Sequence, residues 1–153
     1  MNYLKSLLLY QDEPVYGLLL KLIILIVPAG LLVLSVYLWS SAENSGSIAL
    51  LAEAFIFTII FWVVFPRRYQ VYEDHLRIVL GKPFSIKVGF EDIKTVELTS
   101  RTSLTVNFVT NFAMNYVRIN KKKGLSIAIT PRNNGLFVEN ANQALKKWER
   151  RTK

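Results

Sequence analysis

His75 stands beside Asp74, and this pair is the chain's nearest approach to acid–base machinery. A catalytic imidazole needs a nucleophile or a substrate group within hydrogen-bond reach, and nothing in the surrounding sequence indicates one. It is the one histidine of 153 residues, and there is no cysteine, so two-histidine mechanisms, thiol chemistry and thiolate metal sites have no residues to run on. His75 is therefore read as a solvent-exposed turn residue. The acidic pairs Glu73/Asp74 and Glu91/Asp92 could offer oxygen ligands to a hard cation. Neither has the spacing of a calcium loop, so both are read as turn and helix-start chemistry. There is no P-loop and no GxGxxG. The chain is expected to be no enzyme and to carry no cofactor or metal.

Basic groups give the stronger signal. Arg67 and Arg68 follow directly on a long apolar run. Arg118 and Lys121, Lys122 and Lys123 form a second cluster on or beside a turn. Near an anionic lipid surface each such charge is worth about 1 kcal/mol within a Debye length. Two readings stand for the second cluster: a solvated turn, or a contact with anionic lipid or an acidic partner. Nucleic acid is not expected, because the basic residues are dispersed and a bilayer tether makes lipid the nearer polyanion. One carboxylate, Glu53, lies inside an apolar run. It either reaches interfacial water or contacts a partner helix.

The elements that must position these groups divide unevenly. The chain is 52% hydrophobic with a mean hydropathy of +0.29, and nearly all the long apolar runs precede Pro66. Residues 1–65 carry two Lys/Arg against four Asp/Glu; residues 66–153 carry seventeen against seven, so the whole excess of +8 lies in the second part. Leu18–Trp39 and Ile48–Phe65 are long enough as helices, roughly 33 and 27 Å, for a hydrocarbon core of about 30 Å. Tyr16, Tyr37, Trp39, Trp62 and Tyr69 sit at or near their ends, where amphipathic rings favour the headgroup region. The short polar link Ser40–Ser47 makes the pair an antiparallel hairpin. Lys5, Lys21, Arg67 and Arg68 put both termini in the cytoplasm and the link outside. The expected location is the cytoplasmic (inner) membrane, multi-pass. Pro28-Ala29-Gly30 is expected to kink or thin the first helix, and Ala54 with Thr58 to form a small-residue seam on the second. Leu4, Leu7 and Leu8 are read as one interfacial helical turn. The N-terminus does not read as a secretory signal.

From Pro66 the period becomes two. Strands are expected at Tyr69–Glu73, Leu76–Leu80, Phe84–Val88, Thr95–Thr99, Leu104–Phe108, Tyr116–Asn120 and Leu125–Ile129. Glu91-Asp92-Ile93 reads as a short turn. Lys121-Lys122-Lys123-Gly124 reads as a hairpin with glycine in the positive-φ position. Phe137, Ala141, Ala144, Leu145 and Trp148 then recur on one face of a closing helix. The fold class is α+β: a transmembrane α-helical hairpin (residues 1–65) followed by a small β-barrel or orthogonal sandwich of about seven antiparallel strands capped by a C-terminal helix (66–153). Leu104–Met114 is either core strand or an exposed loop whose Phe108, Phe112 and Met114 pack on a bilayer or partner.

This order resembles the bacterial pleckstrin-homology-like domains found behind a two-helix hairpin. The resembling residues are Tyr69–Ile78, Gly81–Ile86, Phe90–Val96, Val117–Ile119, Lys123-Gly124, Ile127–Pro131 and Phe137-Val138. The resemblance implies a seven-stranded bent sheet capped by a helix and used for binding or assembly. Eukaryotic pleckstrin-homology domains often hold phosphoinositide headgroups with basic loop residues; bacteria generally lack those lipids, so the resemblance implies a geometry and no ligand. The expected function is a non-catalytic, membrane-anchored module for protein interaction or self-assembly at the inner leaflet. The alternative is a sensor of anionic lipid or a small ligand. The expected partners are the lipid bilayer and either a protein or further copies of the chain.

Overall fold

The computed structural model describes residues 6–41, 44–100, 105–111 and 114–152. Leu4, Lys5, Leu104 and Phe112, which the sequence reading used, lie outside them.

A strand, β1 (Leu8–Asp12), precedes two long helices, α1 (Leu18–Ser40) and α2 (Asn44–Val64). Both helices are long and apolar enough to cross a bilayer. They run antiparallel and meet along a narrow seam. Near the connection between the helices Ser35 and Ser47 are fully buried and bond reciprocally: Ser35 Oγ donates to the Ser47 carbonyl at 3.0 Å, and Ser47 Oγ to the Ser35 carbonyl at 2.9 Å. Ala54 of the expected small-residue pair is buried in the same seam, while Thr58 is exposed, its hydroxyl donating back to the Ala54 carbonyl within α2. Most other side chains of the hairpin point outward, among them Leu25, Val33, Phe55 and Trp62. The helix continues through Pro28. Proline has no N–H, so the ladder loses the bond to the Ile24 carbonyl.

The strand-rich part is a sandwich of two four-stranded sheets, not a closed barrel. The first has the order β1, β2 (Arg68–Tyr72), β3 (His75–Val79), β4 (Ser85–Gly89), all antiparallel. The second has the order β5 (Ile93–Thr99), β7 (Tyr116–Lys121), β8 (Ser126–Ile129), β6 (Thr105–Phe108). Two expectations are corrected here. Leu8 belongs to a strand, not a helical turn: β1 covers the free edge of β2, whose backbone donors and acceptors would otherwise stay unpaired. And the strands are not all antiparallel, since β6 runs parallel to β8. A one-turn 3-10 helix, Phe90–Asp92, links the sheets, as the short-turn reading anticipated. Gly124 has φ +80°, the left-handed conformation that the hairpin requires.

The helix α3 (Asn134–Thr152) closes the sandwich. Asn133 caps it, its side-chain oxygen accepting from the Leu136 N–H at 3.2 Å. Phe137, Ala141, Ala144 and Leu145 are buried and Trp148 packs against the core they share with Tyr69, Val71, Ile78, Phe90 and Ile119. The ring of Phe137 meets Tyr10 and Tyr69 edge-on, each at 6.2 Å. His75 is also corrected. It is only 5% exposed, it opens β3, and its ring stacks 4.5 Å from that of Tyr72. A rigid flat ring can be covered on one face by the aromatic and on its edge by Asp74, which a position beside a turn does not reveal.

Leu104–Met114 divides between the two readings. Phe108 packs on the core and Thr110 is buried, while Val106 and Met114 are exposed.

Candidate functional site

The strand directions put both helices at one end of the sandwich. β1 runs toward Asp12 and on to α1, and β2 leaves α2 at Arg68. The chain entering α1 is stitched to loops at that end. Val15 N–H donates to Thr130 at 3.0 Å, Gly17 N–H to Thr110 at 2.8 Å, and the Thr110 hydroxyl to Val15 at 2.7 Å. The chain leaving α2 is held as firmly. Tyr16 donates its hydroxyl to the Pro66 carbonyl, and Arg67 N–H donates to Val79 at 2.6 Å. Burial pushes the Tyr16 hydroxyl above the usual phenol range, against an opposing pull from Arg67.

The β3–β4 loop, residues 80–84, completes the junction. Gly81 lies against the last turn of α2, where a Cβ would fall 2.1 Å from the Trp62 carbonyl oxygen and 2.6 Å from its ring. Only a residue without a side chain lets the loop approach that closely. Phe84 N–H bonds back to Gly81 at 2.8 Å and closes the loop.

Between this loop, the outer face of the first sheet and Trp62 lies a groove of about 640 Å³. Its walls carry Arg67, Arg68, Arg77 and Lys82, with Gln70 and Tyr72 beside them and no carboxylate. Strand alternation puts these groups together. Tyr69, Val71, Leu76 and Ile78 point into the core, so Arg68, Gln70, Tyr72 and Arg77 must face out. The register sets Gln70 opposite Arg77 and Arg68 opposite Val79. The Arg67 guanidinium stacks 4.5 Å over the Trp62 ring, and Arg77 Nε donates to the Ser85 hydroxyl at 3.1 Å. Phe84 and Trp62 are half-exposed at the rim. Four cations with apolar rings at one edge suit an anionic group carried on an apolar body.

A second, smaller cleft of about 240 Å³ runs between the helices below the junction. Tyr16, Trp62, Phe65 and Arg67 form its mouth, and Ile24, Pro28, Thr58 and Phe61 line it further along. Trp62 and Arg67 belong to both cavities.

The basic residues singled out from the sequence do not converge. Arg67 and Arg68 reach the groove. Arg118 lies on β7 opposite Glu97 and donates to its carboxylate at 2.6 Å. The bond from Arg118, joined by one from Asn120, holds the Glu97 carboxyl below its usual range. Lys121–Lys123 sit at the β7–β8 turn, seven or more residues from Thr130, hence roughly 20 Å along the strand from the helix end. Glu53 is exposed on the flank of α2. Sequence reasoning missed Arg77 and Lys82. The alternation Leu76-Arg77-Ile78 turns Arg77 outward, but nothing in it tells that the next loop docks on α2.

Asp74 and His75 form a separate contact at the opposite end, Nδ1 to Oδ1 2.6 Å. Partial burial works to raise the Asp74 carboxyl, but the His75 bond and the charges of His75 and Lys87 leave it below its usual range. Asp74 and His75 are not among the residues that line the basic groove, although Tyr72, which stacks on His75, is.

A family model described as Bacterial PH domain matches residues 67–144. Comparison with curated proteins and with solved structures gave no match.

Proposed function

The chain belongs to the bacterial PH domain family, and from that premise we propose that it is a non-catalytic module, anchored by its helical hairpin, that holds anionic lipid headgroups of the inner leaflet in its basic groove. The observation that carries this reading is the gathering of Arg67, Arg68, Arg77 and Lys82 around one groove at the very end of the sandwich from which the helices leave. If the hairpin spans the bilayer, that groove opens at headgroup level. The outward-facing apolar surface of both helices supports the span, because a patch of that size is stable only under lipid or a partner. Each cation near an anionic surface contributes about 1 kcal/mol. The full chain in neutral detergent, exposed to equal phosphatidylglycerol and phosphatidylcholine, tests the reading by native mass spectrometry. Preferential retention of phosphatidylglycerol, lost in R68Q/R77Q/K82Q, is expected. Equal retention of the two lipids would sink it.

A second reading, self-assembly, has one observation in its favour. Glu53 lies nine residues into α2 from Asn44 and eleven from Val64, and it is exposed. A carboxylate there costs about 2.5–3.5 kcal/mol by insertion scales unless a partner group meets it. Glu53→Gln should then change the oligomer mass measured by light scattering in detergent; an unchanged monomer with either residue removes the support.

A further inference from the structure

We infer that the cleft between the helices holds one acyl chain of the same anionic lipid whose phosphate occupies the basic groove. This rests on the proposed reading of that groove and adds where the lipid's apolar part goes. Three observations point to it.

The cavities adjoin. Trp62 and Arg67 line both, so a molecule with its phosphate among the arginines can bring its glycerol to the mouth of the cleft. The depth fits one leaflet. Ile24 and Pro28 lie six and ten residues into α1, about 9 and 15 Å from its start at 1.5 Å per residue, and 15 Å is half of a hydrocarbon core of about 30 Å. The walls also suit a chain. Phe61 in α2 and Phe65 just beyond its end line the cleft with centroids 5.7 Å apart, and Tyr16 continues them 6.2 Å beyond Phe65. Opposite them Pro28 presents a ring in place of an N–H. The Tyr16 hydroxyl is occupied by the Pro66 carbonyl and the Thr58 hydroxyl by that of Ala54, so these polar groups are already satisfied within the chain. The helices are pinned together at Ser35/Ser47 at the far end and separated at Pro28, which leaves the opening on the arginine side.

The occupant follows from charge and shape together. A neutral lipid satisfies the cleft but not the four cations; a soluble phosphate satisfies the cations but not the cleft. A glycerophospholipid with an anionic headgroup satisfies both.

The test compares long-chain dioleoyl phosphatidylglycerol with dihexanoyl phosphatidylglycerol, used below its micelle concentration, on the full chain in neutral detergent. Two variants fill the cleft from different walls, Thr58→Phe and Ile24→Trp. Ile59→Phe, on the exposed flank of α2, is the control. Each filling variant should weaken the dioleoyl lipid about tenfold, the equivalent of roughly two methylenes losing their burial, and leave the dihexanoyl lipid within twofold. The control should change neither. Unchanged dioleoyl affinity in both filling variants overturns the inference and leaves the headgroup reading standing. An equal loss for both lipids in both variants overturns it too. If the unaltered chain prefers neither phosphatidylglycerol over its phosphatidylcholine counterpart, the headgroup reading fails and takes this inference with it.

Discussion

The guanidinium of Arg67 lies 4.5 Å over the indole of Trp62. One residue belongs to the last turn of α2, the other to the first backbone bonds of the sandwich. Their stack makes helix and sandwich one surface, and it stands where the basic groove meets the interhelical cleft. The stack itself is worth about 0.5–1 kcal/mol when exposed, more when desolvated. Its larger consequence is geometric: it fixes a cation at the edge of the apolar helices.

Gly81→Ala tests that junction from the loop side. The added methyl group would meet the Trp62 carbonyl, which is backbone and cannot rotate away. The loop must lift from α2, at a cost of about 1–3 kcal/mol. Thermal unfolding in detergent should fall by several degrees, and the preference for phosphatidylglycerol should drop with it. Gly124→Asn, at a position where asparagine tolerates the left-handed conformation, should leave both nearly unchanged.

Charge removal at the far turn should be silent. Lys121→Gln, Lys122→Gln and Lys123→Gln together remove three charges, nearly as many as the groove holds. Their distance from the helix end exceeds a Debye length of about 8 Å. Lipid preference measured by native mass spectrometry should stay within twofold. A loss as large as that of R68Q/R77Q/K82Q would move the headgroup site to the turn.

Acid should weaken the sandwich through Asp74 and Glu97. Both carboxyls titrate below their ordinary values in the folded chain. A depressed folded pKa means that the unfolded chain binds protons first, so the stabilisation is present above the ordinary pKa of about 4 and is lost as pH falls through the folded value. Denaturant midpoints should decline from pH 5 to pH 3. The double variant Asp74→Asn/Glu97→Gln should show a shallower decline, from a lower starting stability.

The first strand should be indispensable to the sandwich. Residues 66–153 alone lack Leu8–Asp12, which pairs with β2 and brings Tyr10 onto Phe137. That piece should bind the dye ANS and unfold without a sharp transition. A chain carrying Tyr10→Ala should remain folded but lose about 2–4 kcal/mol, the cost of truncating a partly buried aromatic.

Much of this architecture is legible in the residues. The Leu76/Ile78 alternation, the glycine after Lys123 and the Phe137–Trp148 stripe each describe a local period, and each becomes the element it describes. What stays hidden depends on distant partners. Leu8–Asp12 has no alternation of its own and is separated from β2 by both helices. The parallel pairing of β6 with β8 joins segments on either side of β7. Arg67 and Arg68 announce themselves by following an apolar run. Arg77 and Lys82 do not, because their place in the groove depends on the loop at Gly81 meeting Trp62. Arg118 reads as available charge until the register sets Glu97 across from it.

The central claim is that an anionic headgroup sits against Trp62. It is tested most directly by fluorescence of a chain in which Trp39→Phe and Trp148→Phe leave Trp62 alone. In neutral detergent, phosphatidylglycerol brominated high on its acyl chains should quench this indole at concentrations at least tenfold lower than brominated phosphatidylcholine does. R68Q/R77Q/K82Q should bring the two curves together. Coincident curves for the unaltered basic groove would contradict the claim.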